Sequence, residues 1–396
     1  MNDHRRKRLR SQVAAARLDA LIASSPANIQ YATGIQSATQ SVFPSVQLFA
    51  VIDADGNVPA VVVPYGDVPS VLDESEAPWD VVCYGRLYFE PGERRDSRWN
   101  RALRIQEERA YDTFAQALAA ALAGAKLDGA RLGLDEARLT PERWRAVADA
   151  LPHAHLSPAY EIFRRVRRIK GPDEVERLER AARVAEDALA EAVATAREGV
   201  TEREMAGRYR AAVLSRGADP YLYVTTFGER AALADTYPTD RPLRAGDAMR
   251  FDVGCVVEGY VSDIARTAVL GEPPAKLEQT YAAMLAGEDA LIAATRPGNT
   301  GQAIFDAGME AARGSGVAHY RRHHCGHGIG LEVYELPLIA PGHADALEPG
   351  MTFCLETPYY ELGWGGAQVE DAVVVSEDGC RVLNRSSREL WRAGEG

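Results

Sequence analysis

Long apolar runs are missing from this 396-residue sequence. No stretch approaches the roughly eighteen apolar residues that a membrane-crossing helix needs, so no membrane partner is expected. Cysteine is scarce: Cys83, Cys255, Cys325, Cys354 and Cys380 form an odd set without a C-x-x-C pair. That argues against a disulfide framework and suits free thiols in a reducing, cytoplasmic compartment. Positive charge is also short, with 45 Lys and Arg against 57 Asp and Glu, a formal net charge of −12. A chain of that sign is not built to hold nucleic acid or an anionic surface. Its one basic run, "FRRVRRIKGPDE" (163–174), reads as a solvated linker. No G-x-S-x-G elbow occurs, which argues against a serine hydrolase. The basic N-terminal stretch is interrupted by Arg17 and Asp19, so it reads as an amphipathic helix rather than an export signal.

The length favours two domains, and a hydrophobic fraction of 46% is enough to give each a core. The first part, 1–160, reads as α/β. It has a helix near 4–17, strands at "LDALIAS" and "NIQYATG", a strand pair around "VQLFAVIDADGNVPAVVVP", and an Ala-rich helix near 112–124. The second part, 161–396, reads as α+β, with helices covering one face of an antiparallel sheet. Pro172 opens a helix; Thr201 and Glu204 form a capping box for the next. Two more helices fit 275–294 and 299–313. Strands are expected at 247–257, 260–270, 351–356 and 367–375.

One stretch breaks the pattern of a half-buried sheet. "FDVGCVVEGYVSDIARTAVLG" (251–271) alternates like a hairpin yet carries Asp252 and Asp263 at inward positions. With Glu258-Gly259 as a two-residue turn, Val257 pairs with Tyr260, Asp252 faces Ala265 and Asp263 faces Gly254. Both carboxylates then share one face as diagonal neighbours, a spacing that a cation could bridge. Gly254 would leave room for something bulkier than a side chain. Without a cation, two such carboxylates repel and tend to stay protonated.

Two further segments add donors. "HHCGHGIGLEVYELP" (323–337) surrounds His327 with glycines that would let its imidazole approach a ligand. "CLETPYYELGWGGAQVEDAVVV" (354–375) puts Glu356 and Glu370 at strand positions. A mostly oxygen donor set suits Mn²⁺, Co²⁺, Fe²⁺ or Zn²⁺. Five donors, several able to bridge, suggest two divalent ions rather than one.

In order, "DVGCVVEGYVSDIART", "GHGIGLEVYELP", "ETP" and "VEDAVVVSEDG" resemble the motif set of the pita-bread metallopeptidases: Xaa-Pro aminopeptidases, prolidases, methionine aminopeptidases and the metal-free relative creatinase. "SPANIQYATG" resembles the N-terminal domain that creatinase and prolidase share. The resemblance implies a creatinase/prolidase-like domain over 1–160 and a pita-bread catalytic domain over 161–396. It implies Asp252, Asp263, His327, Glu356 and Glu370 as ligands of two divalent metal ions, Mn²⁺ first among them, with Glu356 also the general base. It further implies a homodimer that hydrolyses an amide or related C–N bond in a small peptide or small-molecule amide.

Three positions depart from that pattern. Asp235 stands where the peptidases have a histidine three residues before the proline of "PTDRP". Tyr334 replaces the second histidine of "GLEVHE", and Gln368 replaces an arginine two residues before the last glutamate. Asp235, Tyr334 and His323 are therefore the further candidates for catalytic roles, with His323 or His324 able to cover a lost imidazole. Loss of a guanidinium and gain of a carboxylate predict a pocket that favours neutral or cationic substrates. The rival readings are a specialised small-molecule hydrolase or lyase with a creatinase-like role, and a binding protein on a retired peptidase fold.

Overall fold

In the computed structural model, residues 2–74, 79–93, 97–108 and 110–394 are described, and the chain divides into two units, Met1–Arg167 and Arg168–Gly396. Among the described residues no helix is long and apolar enough to cross a membrane.

The first unit is built on a mixed seven-stranded sheet. Ala20–Ala23 lies inside it, antiparallel to Phe49–Asp53 and parallel to Arg131–Leu134. All four of its residues are buried, as a central strand of Ala, Leu and Ile should be. The helix expected near 112–124 spans Phe114–Gly124 behind the capping box of Thr113 and Gln116. One expectation fails here: "NIQYATG" is not a strand but most of the helix Pro26–Thr33. Ser25 and Pro26 provide a helix start, and Gly34, at φ 84°, provides a left-handed stop. A short apolar run between such signals can fold either way, and its end residues decide.

The second unit carries a ten-stranded sheet. The helices Pro172–Val193 and Glu202–Ser215 pack with Met249, Phe251, Val253 and Cys255, which alternate along the strand Ala248–Val257. The helices Ala275–Ala294 and Gly301–Gly314 pack with Phe353, Leu355, Val373 and Val375 of the strands Thr352–Glu356 and Glu370–Val375. Each strand turns every second side chain to a helix, so the intervening ones must meet on another face. Thr201 and Glu204 form the expected capping box: each backbone N–H is held by the other's side chain, at 2.8 and 3.2 Å. A buried ion pair, Lys170 to Glu335 at 2.7 Å, ties the start of the unit to the strand Glu335–Leu338.

The hairpin register is the one the sequence predicts. Tyr260 pairs with Val257 and Ala265 with Asp252, around a turn with φ 49° at Glu258 and 82° at Gly259. Positive φ at both central residues matches the right-handed twist of a hairpin. The expected second strand is split, into Tyr260–Val261 and Ile264–Leu270, so Asp263 sits at the break. Gly254, however, does not make room for a ligand. A Cβ there would lie 2.0 Å from the Ser262 carbonyl oxygen, so the missing side chain lets two backbones touch. The glycines around His327 behave alike: at Gly326 a Cβ would meet the Cys354 carbonyl oxygen at 2.3 Å.

Two substitutions measure this constraint. Gly254→Ala should lose about 1–3 kcal/mol in urea denaturation, because the Ser262 backbone has to shift. Gly207→Ala, in an exposed stretch of helix with no atom near the new methyl, should be neutral or stabilising by up to about 1 kcal/mol. Equal effects would mean that close packing at Gly254 does not limit the fold.

Candidate metal centre

Strand register assembles the site. Ala265 pairs with Asp252 on one side and Glu370 on the other, and Glu370 pairs with Glu356. Directly opposed residues share a face, so three carboxylates form a row across four neighbouring strands. Asp263 is two residues before Ala265. His327 pairs with Cys354, two residues before Glu356. Period-two alternation puts both on the same face, one step along. One donor atom each from Asp263, His327 and Glu370 can be chosen so that all three lie within 4.8 Å of one another. Three of the five expected donors thus converge, and Asp252 and Glu356 stand in the same row across the sheet.

The charges there are poorly hydrated. Burial, then the neighbouring charge of Glu356, pushes Asp252 up to about 6 despite the cation of Arg250. Asp263 and Glu370 are raised well above the ordinary range, first by burial and then by the surrounding carboxylates. Asp263 Oδ1 and Glu370 Oε1 are buried with no hydrogen-bond partner among the described residues. Burial also raises Glu356, but the contact from His324 and the charge of Arg322 outweigh it and hold this carboxyl below its usual value. His327 Nδ1 lies 3.1 Å from the Gly328 carbonyl oxygen. Since a carbonyl only accepts, Nδ1 carries the proton and Nε2 turns its lone pair inward, 3.8 Å from Asp263 Oδ2. Unpartnered carboxylate oxygens and an imidazole of fixed tautomer are what a divalent cation requires.

The further candidates are distributed differently. Tyr334 stacks on His327, centroids 3.9 Å apart, and its hydroxyl lies 3.3 Å from His324 Nε2. Burial, then nearby carboxylates, raises its pKa, so it remains a hydrogen-bond donor. His323 is exposed and packs edge-on against His324 at 4.2 Å. The imidazole that reaches Glu356 belongs to His324, with Nε2 2.7 Å from Oε1. Which of two adjacent histidines turns inward is set by local backbone direction, and nothing in "HHCGH" marks it. Asp235 is exposed, on the loop after the short helix Gly228–Ala232; its charge helps raise Asp252 and Asp263, behind burial and closer groups.

The expectation of a centre stripped of fixed positive charge is corrected by Arg250, a residue the sequence reading passed over. Its guanidinium is fully buried and donates to Gln368 Oε1 at 2.8 Å and to Asp252 Oδ2 at 3.5 Å. A guanidinium cannot accept, so the Gln368 oxygen faces it and the amide NH₂ turns to Asp252 and Glu370, 3.2 Å from each. The cation thus enters from the strand that carries Asp252, with Gln368 as its relay. Arg322 supplies a second guanidinium, 3.4 Å from Glu356. Both lie over the Tyr360 ring, at 5.2 and 5.9 Å. Position 250 shares a face with 252, and that was the available signal.

Comparison with known proteins agrees with this geometry. Residues 176–377, which include all five donors, match the profile of metallopeptidase family M24, and residues 5–169 match the creatinase/prolidase N-terminal domain. The Xaa-Pro dipeptidase of Pyrococcus furiosus is 32% identical over 232 residues, 58% of this chain and 67% of that one. The probable dipeptidase PepE of Mycobacterium tuberculosis is 33% identical over 259 residues, 62% and 69% of the two chains. Among solved structures, dipeptidase PepE from Mycobacterium ulcerans superposes with TM-score 0.78 at 27% identity, covering 99% of each chain. The prolidase from Pyrococcus horikoshii gives 0.79 at 22% identity, over 98% of this chain and 100% of that one.

The raised carboxyls give the metal-free protein a pH signature. Asp252, Asp263 and Glu370 hold protons in the folded state that an unfolded carboxylate releases near pH 4. Their stabilisation is therefore full below about pH 4 and is lost as pH rises through the folded values, about 6 for Asp252 and well above the ordinary carboxylate range for the other two. Glu356, shifted down, acts only below this window: its stabilisation is lost as pH falls below the ordinary carboxylate range and adds no slope between pH 6 and 8. Chelated protein should melt at a lower temperature at pH 8 than at pH 6, and added Mn²⁺ should raise the midpoint more at pH 8. A chelated midpoint that climbs between pH 6 and 8 would contradict this account.

Proposed function

The chain belongs to metallopeptidase family M24, and on that premise we propose that it is a metal-dependent Xaa-Pro dipeptidase or aminopeptidase, hydrolysing the amide bond before proline in small peptides. The observation that carries this reading is the single-faced set Asp252, Asp263, His327, Glu356 and Glu370, four of them buried and Asp252 partly so, with two carboxylate oxygens left unpartnered among the described residues. The named relatives are dipeptidases, which favours a peptide substrate over a creatinase-like role on a small molecule.

These five residues would hold two divalent ions, with Mn²⁺ the first choice and Co²⁺, Fe²⁺ or Zn²⁺ the others, since four of the five donors are carboxylates. When bound, such ions lower the pKa of water and polarise the carbonyl under attack. The remaining roles belong to the chain. Glu356, held ionised by His324 and Arg322, accepts a proton as general base. His324 orients that carboxylate and can take the proton onward. Tyr334, which keeps its hydroxyl proton, donates a hydrogen bond to the oxygen on which charge develops. Five free cysteines, four of them buried, support a place in the reducing cytoplasm, and the two-domain family architecture supports a homodimer.

The test uses purified protein in Mn²⁺ with a panel of Xaa-Pro dipeptides. Asp263→Asn and His327→Ala should lose both activity and bound metal, the latter read by elemental analysis. Glu356→Gln should retain metal and lose about 10²–10⁴ in kcat, because an amide cannot take the proton. Full activity after exhaustive chelation would defeat the reading.

A further inference from the structure

Next to the carboxylate row the sheet continues into the strand Asp219–Phe227, where Val224 pairs with Asp252 and Leu222 with Gly254. Both side chains therefore share the face of the centre and form the floor of a cavity of about 320 Å³. Tyr221, at the irregularity of that strand, forms one wall; Tyr237 and Pro238 form another. Tyr221 is close enough to the centre that the charge of Asp263, after burial, raises its pKa. Asp235 is the one charged residue lining the cavity, and among the described residues no hydrogen bond or ion pair neutralises it.

The loop that bears Asp235 is fixed in place. Arg250 donates from Nε to the Ala231 carbonyl and from Nη2 to the Leu233 and Ala234 carbonyls, at 3.1, 2.6 and 2.6 Å. Nη1 goes to Gln368 and Asp252, so all five N–H donors of this buried guanidinium are used. The residue directly before Asp235 is thereby anchored to the floor of the metal centre. An exposed carboxylate on a free loop would select nothing; one placed by a saturated guanidinium at the mouth of an aromatic cavity can. Cations around the cavity walls are already engaged: Arg230 holds Glu202 and the Tyr237 carbonyl, Arg210 lies over the Tyr223 ring at 4.8 Å, and Arg203 pairs with Asp240 at 2.9 Å.

We infer that this cavity is a substrate subsite for a positively charged side chain, lysine or arginine, whose head pairs with Asp235 while its stem lies against Tyr221, Tyr237 and Val224. A carboxylate beside aromatic walls recognises an ammonium or guanidinium through both charge and the ring faces, and the apolar floor suits the methylene stem. The inference rests on the peptidase reading above and adds to it which peptides the site prefers.

The experiment compares Lys-Pro, Arg-Pro, Leu-Pro and Glu-Pro in Mn²⁺. Lys-Pro and Arg-Pro should exceed Leu-Pro about three- to tenfold in kcat/KM, mainly through KM, with Glu-Pro lowest, as for a half-exposed charge pair. The advantage should shrink at high ionic strength, and in Asp235→Asn the Lys-to-Leu ratio should fall to near one. Equal use of all four peptides, or a preference that survives Asp235→Asn, would overturn the subsite while leaving the peptidase reading intact. Failure to cleave any of them would count against the peptidase reading itself. Calorimetric titration with Lys-Pro and Leu-Pro analogues whose scissile carbonyl is reduced to methylene then still decides the subsite. Tighter binding of the lysine analogue supports it, and equal binding rejects it.

Discussion

Four poorly hydrated carboxylates on the sheet face that points away from the packed helices are the constraint on which this structure turns. Each would cost several kcal/mol to bury ionised and alone, and together they repel. The fold answers in two ways. It lets Asp252, Asp263 and Glu370 hold their protons to higher pH than an exposed carboxylate when no cation is present, and it keeps Glu356 ionised by giving it His324 and Arg322. A single face thus holds carboxyls suited to gripping a cation and one suited to moving a proton.

Arg250 joins that centre to its surroundings. One buried guanidinium balances Asp252, orients the Gln368 amide toward two carboxylates and pins the carbonyls of Ala231, Leu233 and Ala234, just before Asp235. Charge balance in the centre and shape at its mouth are therefore coupled through one side chain. A change at position 250 would act on both, whereas a change at Asp235 acts on the mouth. The departures at positions 235 and 368, which in sequence look like separate losses, are two ends of this arrangement.

Much of this was legible early, and for physical reasons. The hairpin register followed from two residues with positive φ, Glu258 and Gly259, because a two-residue turn leaves no freedom in the pairing. The helices at 201–215 and 275–294 announced themselves by capping and by spacing. Where local signals competed, the reading failed. "NIQYATG" has strand-like residues, yet Pro26 and Gly34 bracket it as a helix. The glycines at 254 and 326 were assigned to a ligand when they serve backbone contact.

The sequence by itself determined the family, the two-part organisation and which five residues to expect as donors, because these are carried by residue type at fixed spacing. It also determined that Asp252 and Asp263 share a face, since alternation is a property of a single hairpin. Only the tertiary structure decided that His324 rather than His323 reaches Glu356, that Arg250 restores a cation to the centre, and that Asp235 borders a cavity. Each of those depends on strands or loops distant in the chain meeting at a particular register and direction, and no local pattern encodes such a meeting.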